Sequence, residues 1–267
     1  MILSFNTNLN AHGDLHERIL RATEEIAIHP DSASLYIKRG KLYYQHQKYE
    51  NSLFDFQTSQ KLGLDNDVVN FYLAKNHFQL SNFELSKKIM LRMLKSNNED
   101  INYQKLLAQV YKKLGNYKKS AKAFEKVILH SNKVLPENFI DASNAWFLTK
   151  TKKGIERSQN ILIQGIEKLG NVIVLYDLLV SNAIEIKDYS TALKYQEKTI
   201  DISHRKERAY LKLADIYIKQ KTYKNALLAI SEAEFHYKKL PHRIRNTKFM
   251  REFYSELRVK KTEITKL

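Results

Sequence analysis

A repeating unit of 34 residues constrains the fold of this 267-residue chain more than any other feature. Tyr49, Phe83 and Tyr117 follow one another at 34-residue intervals, each followed three residues later by a serine and four residues after that by a bulky apolar residue. The interval slips once and then resumes with Tyr189 and Tyr223. Regular repeats of this length are typical of proteins built from stacked pairs of helices.

The spacing within a unit indicates two helices packed as a hairpin. In the third unit, Ala108 and Tyr111 fall on one stripe of the first helix, while Ser120 and Phe124 fall on one stripe of the second. Small residues let two helix backbones approach closely, and the rings fill the space beside the contact. Because the chain has only seven Gly and three Pro, it is poor in the residues that tight turns of a sheet require. We therefore predict an all-α fold.

This pattern resembles the tetratricopeptide repeat family, in which a ring, a Leu-Gly pair, a Tyr, an Ala and a Phe recur at fixed places. The first unit carries the resemblance at Tyr36, Gly40, Tyr43, Ser52 and Phe56. It implies a right-handed superhelical solenoid of about six helix hairpins with flanking N- and C-terminal helices. The predicted segments are an N-terminal segment and capping helix (1–32), six repeats within 33–240 (33–66, 67–100, 101–134, 139–172, 173–206 and 207–240), and a basic C-terminal capping helix (241–267).

Several local expectations accompany these boundaries. Asp14 followed by Glu17 has the pattern of a capping box and predicts that the first helix begins there, leaving His12 outside it. Serine replaces the family's usual alanine in units one to four, and Trp146 falls where a small residue is expected in unit four. After Pro241, a helix with Phe249, Phe253 and Leu257 on its apolar stripe is expected to end the array.

The motifs of common enzymes are missing from the sequence. There is no Cys, no phosphate loop, no dinucleotide fingerprint, no nucleophile elbow and no His-Glu-x-x-His motif. His12 and His16 are spaced to share a metal ion, but no further ligand follows at a usual spacing. We therefore predict a protein without catalytic activity, cofactor or metal site.

No run of about 18 apolar residues is present, so the sequence predicts no membrane-spanning helix. The first residues, MILSFNTNLNAHGD, lack the basic start and apolar stretch of a secretory signal, and a cytoplasmic location is the expectation.

The charge points to an acidic partner. Lys and Arg total 45 against 29 acidic residues, a net charge of +16, which favours binding to acidic proteins, nucleic acid or an anionic surface. The family resemblance implies that the first helices of the repeats line a concave groove, whose second half carries Asp177, Glu185 and Asp215. The positions implied to bind a partner are Lys41, Tyr44, Phe71, Lys75, Phe78, Lys105, Gln109, Lys112, Lys113, Phe147 and Lys150.

We accordingly predict a scaffold that binds an extended peptide or helix of a partner protein, with acidic or mixed acidic and apolar side chains, in the groove. The alternative is binding of RNA or another nucleic acid through the basic surface, with rings such as Tyr44 and Phe78 stacking on bases.

Overall fold

The computed structural model describes residues 6–266, with side chains from residue 14 onward, and these residues form helices, turns and bends without a strand. The predicted all-α class is therefore confirmed. The chain divides into two compact units, Met1–Lys133 and Val134–Leu267. Each unit is described by itself.

Unit 1 contains an N-terminal helix and three helix hairpins, and each helix packs against the next in the chain. The first helices of neighbouring hairpins, α2 with α4 and α4 with α6, also contact each other. The helices are α1 (Asn6–Ile28), α2 (Ala33–Gln45), α3 (Tyr49–Lys61), α4 (Asp67–Gln79), α5 (Phe83–Ser96), α6 (Ile101–Lys113) and α7 (Tyr117–His130).

Unit 2 contains three further hairpins, a short helical turn and a C-terminal helix that packs on the last hairpin. Its helices are α8 (Pro136–Phe147), α9 (Lys152–Leu169), α10 (Ile173–Glu185), α11 (Tyr189–Ile202), α12 (Lys206–Lys219), α13 (Tyr223–Lys238), α14 (His242–Arg245) and α15 (Lys248–Thr265).

Every hairpin turns through a residue with a positive φ angle. The sequence indicated this only at Gly115, where φ is 71°. In the other five hairpins the residue carries a side chain, although the left-handed conformation is unfavourable for L-residues. In the third hairpin the next N–H, of Asn116, donates to the carbonyl of Tyr111 at 2.8 Å, so the turn satisfies a helix-terminal carbonyl. The five non-glycine residues are Gln47, Ser81, Lys150, Lys187 and Lys221.

A buried serine joins the two helices of each hairpin in unit 1. The Oγ atoms of Ser52, Ser86 and Ser120 each donate a hydrogen bond of 2.8 Å to a carbonyl of the preceding helix, namely that of Gly40, Ala74 and Ala108 respectively. All three serines are fully buried. The serines that replace the family's alanine thus connect the helices by a hydrogen bond as well as by close packing.

In the first hairpin, Ser52 also forms a hydrogen bond with the second hairpin. The side-chain amide of Asn76, also fully buried, donates to the Oγ of Ser52 at 2.9 Å. Gly40 permits the approach, since an added Cβ atom would lie 3.0 Å from the ring of Phe56. Gly40 thus allows the two helices of the first hairpin to pack closely.

The predicted start of the first helix at Asp14 is wrong. α1 begins at Asn6 and continues through Gly13, so the backbone of His12 lies inside the helix. Asp14 acts within the helix, where its carboxylate lies 4.0 Å from the guanidinium of Arg18 one turn later. An acidic residue suits both an i, i+4 ion pair within a helix and a cap at its start. The capping-box pattern at Asp14 therefore does not distinguish the two positions.

The fourth hairpin also differs from its prediction. α8 begins at Pro136, a residue suited to the first position of a helix, instead of at residue 139. This earlier start places Ser143, and not Trp146, at the small position, and the Oγ atoms of Ser143 and Ser158 lie 2.8 Å apart. Trp146 is a buried core residue.

The C-terminal helix forms as predicted after Pro241, but its apolar stripe is different. Phe253 and Leu257 are buried as expected. Phe249 is 54% exposed, and the neighbouring Met250 is buried instead. Met250, Phe253 and Leu257 share the i, i+3, i+7 spacing of one helix face.

Candidate partner-binding surface

The predicted site residues that meet most closely lie on α2 and α4 of unit 1. The Nζ atom of Lys75 lies 4.3 Å from the ring centroid of Tyr44 and 5.6 Å from that of Phe71. It also lies 4.7 Å from the ring centroid of Tyr72, and the Nζ atom of Lys41 approaches the same ring at 5.9 Å. We refer to Lys41, Tyr44, Phe71, Tyr72 and Lys75 as the Lys75 cluster.

Helix periodicity and the core hold this cluster in place. Lys41 and Tyr44 are three residues apart on α2, and Phe71 and Lys75 are four apart on α4, so each pair shares one helix face. Tyr72 stacks on the buried Phe56, with ring centroids 4.7 Å apart and planes at 11°. The rings around Lys75 are therefore supported by the core of the first hairpin.

The Lys75 cluster has unusual electrostatics. Burial lowers the pKa of Lys75, because fewer water molecules solvate its ammonium group. Among the described residues no carboxylate offsets this effect, and three rings lie within 5.6 Å of the charge. Burial also raises the pKa of Tyr44, although the side-chain amide of Gln79 donates to its hydroxyl at 3.3 Å. The cluster thus holds a partly desolvated cation among aromatic rings.

The other predicted residues of unit 1 lie around the cluster on α4 and α6. Phe78 is half-buried, and its ring centroid lies 5.6 Å from that of Phe83. Phe71 reaches toward α6, where its ring lies 5.2 Å from that of Tyr103. Lys105 is half-buried on α6, and the remaining predicted residues of that helix are exposed; these are Gln109, Lys112 and Lys113.

The predicted residues of unit 2 have a different environment. Phe147 is only 6% exposed, so little of its ring could reach a partner. The Nζ atom of Lys150 lies 4.6 Å from that ring and 2.5 Å from Oε1 of Glu185. The lysine is therefore already paired with an acid of the next hairpin.

The two other groove acids of unit 2 are paired in the same way. Asp177 accepts a hydrogen bond of 2.7 Å from Lys212 on the following first helix. Asp215 accepts one from Lys260 of α15. Within the described part of the chain, these three acids of unit 2 thus each have a lysine partner, while Lys75 of unit 1 has no acidic partner.

Sequence reasoning missed Tyr72. The residue is not at a position that the family resemblance implies to face the groove, yet its ring connects Lys41, Lys75 and Tyr44. The signal that could have revealed it is the adjacent pair Phe71 and Tyr72 one turn before a lysine.

In the described part of the chain, no three His, Asp or Glu side chains cluster as metal ligands. None of the described helices is long and apolar enough to cross a membrane.

The consecutive hairpins, with their small-against-bulky contacts, define a helical-repeat protein. Residues 106–129 match the family model of the tetratricopeptide repeat. The chain thus has the fold of tetratricopeptide repeat proteins, as the sequence pattern predicted.

Solved structures share this fold at low sequence identity. A tetratricopeptide repeat protein from Parabacteroides merdae is 16% identical, with a TM-score of 0.57 and coverage of 94% of each chain. The C-terminal part of a repeat protein from Cytophaga hutchinsonii is 17% identical, with a TM-score of 0.69, and the match covers 89% of this chain and 96% of that one. YrrB, described as a repeat protein with an unusual peptide-binding site, is 14% identical, with a TM-score of 0.51 and coverage of 62% and 84%. No curated protein sequence matches the chain significantly.

Proposed function

We propose that the protein is a non-catalytic scaffold for protein–protein interaction, and that the Lys75 cluster binds an extended peptide or a helix of its partner. The tetratricopeptide fold is typical of such scaffolds. The observation that carries the proposal is Lys75 itself, a partly buried ammonium group surrounded by three rings and without a described acidic partner.

The chemistry of the cluster defines the segment that fits it. A carboxylate placed beside Lys75 would form a charge-assisted hydrogen bond with a cation that the free protein already holds partly out of water. Phe71 and Tyr72 offer ring surface to an apolar neighbour of that carboxylate, and the hydroxyl of Tyr44 offers a further donor. We therefore expect a segment in which Asp or Glu stands beside an aromatic or aliphatic residue.

Unit 2 provides an internal comparison for this argument. There Glu185 contacts Lys150 of the α8–α9 turn, and Asp177 contacts Lys212 of α12. These pairs give the geometry that an acid adopts beside a lysine in this chain. A partner carboxylate at Lys75 would supply in trans the contact that unit 2 makes in cis. The lysines of α6, Lys105, Lys112 and Lys113, would then attract further acidic residues of the same segment.

A displayed library of random peptides, selected against the full chain, tests the proposal. We expect enrichment of peptides with an acid next to an apolar residue, and the affinity of one such peptide is then measured by fluorescence anisotropy. The change Lys41→Glu with Lys75→Glu should abolish binding. Tyr44→Ala with Phe78→Ala should weaken it by about 2 kcal/mol or more, because buried rings dominate such interfaces.

A charge-matched pair on α7 controls for general electrostatics. Lys118 and Lys122 are exposed on the second helix of the third hairpin, and changing both to Glu alters the net charge by the same amount. If this control reduced peptide binding as much as the changes at Lys41 and Lys75, the Lys75 cluster would not be the site. The nucleic-acid alternative would instead be favoured if the chain preferred a single-stranded RNA oligonucleotide to the peptides. RNA binding should then depend steeply on salt and should weaken equally in both charge variants.

A further inference from the structure

A second cleft in unit 1 is independent of the Lys75 cluster. It lies where α3, α4 and α5 meet, has a volume of about 670 Å³, and shares no lining residue with the cluster. One stripe of α5 forms one wall with Lys88, Leu91, Arg92 and Lys95, which follow the i, i+3, i+4, i+7 spacing. Ile89 of α5, which is half-buried, adds apolar surface beside them, and Leu73 of α4 is buried beneath the cleft.

The wall on α5 is positively charged. Lys88, Arg92 and Lys95 are exposed and form no ion pair with the described residues, whereas the ion pair on α5 joins Lys87 to Glu84. The guanidinium of Arg92 donates to the side-chain oxygen of Asn70. This arginine is therefore oriented in the cleft by an amide and not by a carboxylate.

One carboxylate lies behind Asn70. Asp65 Oδ1 accepts hydrogen bonds from the amides of Asn70 at 2.6 Å and Gln60 at 3.1 Å. It is thus engaged by two amides, and it is not among the residues that line the cleft. Three cations against this single acid leave the cleft with a positive potential.

His77 of α4 also lines the cleft. Its Nδ1 atom is buried and has no hydrogen-bond partner among the described residues. Buried polar atoms are nearly always paired, so an unpaired one calls for a partner that the chain itself does not supply. Burial lowers the pKa of His77, and the ring is therefore neutral at pH 7 and can present Nδ1 as a donor or an acceptor according to its tautomer.

We propose that this cleft binds a small amphipathic anion, with its apolar body against Ile89 and Leu91 and its anionic head toward Lys88, Arg92 and Lys95. The volume falls within the range of about 300–1,000 Å³ that is typical of small-molecule sites. Apolar walls with a few convergent polar groups are also typical of such sites. His77 lines the same cleft, so its imidazole reports on a ligand bound there.

The test uses 8-anilinonaphthalene-1-sulfonate, an aromatic sulfonate that becomes fluorescent in apolar surroundings, titrated into the full chain. We expect one saturable site. The change Lys88→Gln with Arg92→Gln should weaken its binding about tenfold, as expected for the loss of charge-assisted contacts worth about 1.4 kcal/mol. The uncharged analogue N-phenyl-1-naphthylamine should bind more weakly to the wild type and be unaffected by the same change.

The chain provides a matched control one repeat away. Lys122 and Lys126 occupy on α7 the positions that Lys88 and Arg92 occupy on α5, exactly 34 residues later in the sequence, and both are exposed. Lys122→Gln with Lys126→Gln should leave the affinity for the sulfonate unchanged.

Nuclear magnetic resonance of the imidazole nitrogens locates the bound probe. Its binding should shift the Nδ1 resonance of His77 in the wild type, and circular dichroism shows whether each variant is folded. The proposal is overturned if the changes at Lys88 and Arg92 have no effect, or if the α7 control weakens binding equally. It is likewise overturned if the sulfonate binds while the His77 resonances stay unmoved.

Discussion

Removal of the Ser52 hydroxyl tests how the hairpins of unit 1 are joined. Ser52 and Ser120 occupy equivalent places and donate the same 2.8 Å hydrogen bond to the preceding helix, but only Ser52 also accepts from the amide of Asn76. The two serines thus differ by one buried hydrogen bond. We predict that Ser52→Ala destabilises the protein more than Ser120→Ala.

The magnitude follows from what each change leaves behind. Ser120→Ala removes one hydrogen bond and leaves the carbonyl of Ala108 inside its helix, a loss of about 0.5–1.5 kcal/mol. Ser52→Ala removes the equivalent bond and also leaves an N–H of the fully buried Asn76 without its acceptor, which adds about 1–3 kcal/mol. The expected difference between the two variants is therefore about 1–3 kcal/mol.

Urea unfolding of the full chain, followed by far-ultraviolet circular dichroism, measures this difference at constant m value. Adding Asn76→Leu to Ser52→Ala removes the stranded amide and should recover part of the loss. Equal losses for Ser52→Ala and Ser120→Ala, or no recovery in the double variant, would refute the reasoning.

Three further predictions concern stability. Lys187→Gly should raise the free energy of unfolding by about 1 kcal/mol, because φ at Lys187 is 62°, in the left-handed region that glycine tolerates better. A variant with a lower free energy of unfolding than the wild type would contradict the strain inferred at the turns. Arg39→Met should lower it by about 3–5 kcal/mol at pH 7, because it strands the fully buried carboxylate of Asp55, now held by bonds of 2.7 and 2.9 Å. Burial raises the pKa of Asp55, so a larger fraction of this carboxyl is protonated at pH 4.5 than at pH 7, and Arg39→Met should then cost less free energy of unfolding. A cost that did not change with pH would argue against a stranded charge. Two lysines lower the pKa of Glu234 to about 2 from 4.5, and this group therefore stabilises the fold above pH 4.5 and loses that effect as the pH falls toward 2. Because the lysines are largely exposed, we expect about 1 kcal/mol at pH 7 relative to Glu234→Gln, and a difference between the two proteins that did not narrow in acid would contradict the assignment.

The fold was predictable because its main signal is repeated. The 34-residue spacing places Phe56, Met90 and Phe124 at equivalent positions, and all three are buried. Each copy reinforces the others, so a weak match in one unit does not obscure the pattern. Single, unrepeated features were less reliable, as the start of α1 and the small position of α8 show. Each of these predictions depended on one local pattern that is compatible with more than one structure.

Less of the candidate site could be predicted. Helix periodicity places Lys41 and Lys75 on first helices, but it does not show which lysines have acidic neighbours. Lys150 contacts Glu185 across 35 residues, whereas Lys75 lies among rings. That difference depends on side-chain packing between hairpins, which a pattern within one helix does not record. The same limit explains why Tyr72 was missed.

The pKa of Lys75 tests the central claim most directly, since the claim is that this ammonium group is partly desolvated and lacks an acid until a partner binds. Heteronuclear magnetic resonance of lysine side chains can follow its titration in the free chain and in the complex with a selected acidic peptide. We predict a pKa below the ordinary 10.5 for Lys75 in the free chain and a rise of this pKa on peptide binding. An ordinary pKa for Lys75 that does not move when the peptide binds would contradict the account.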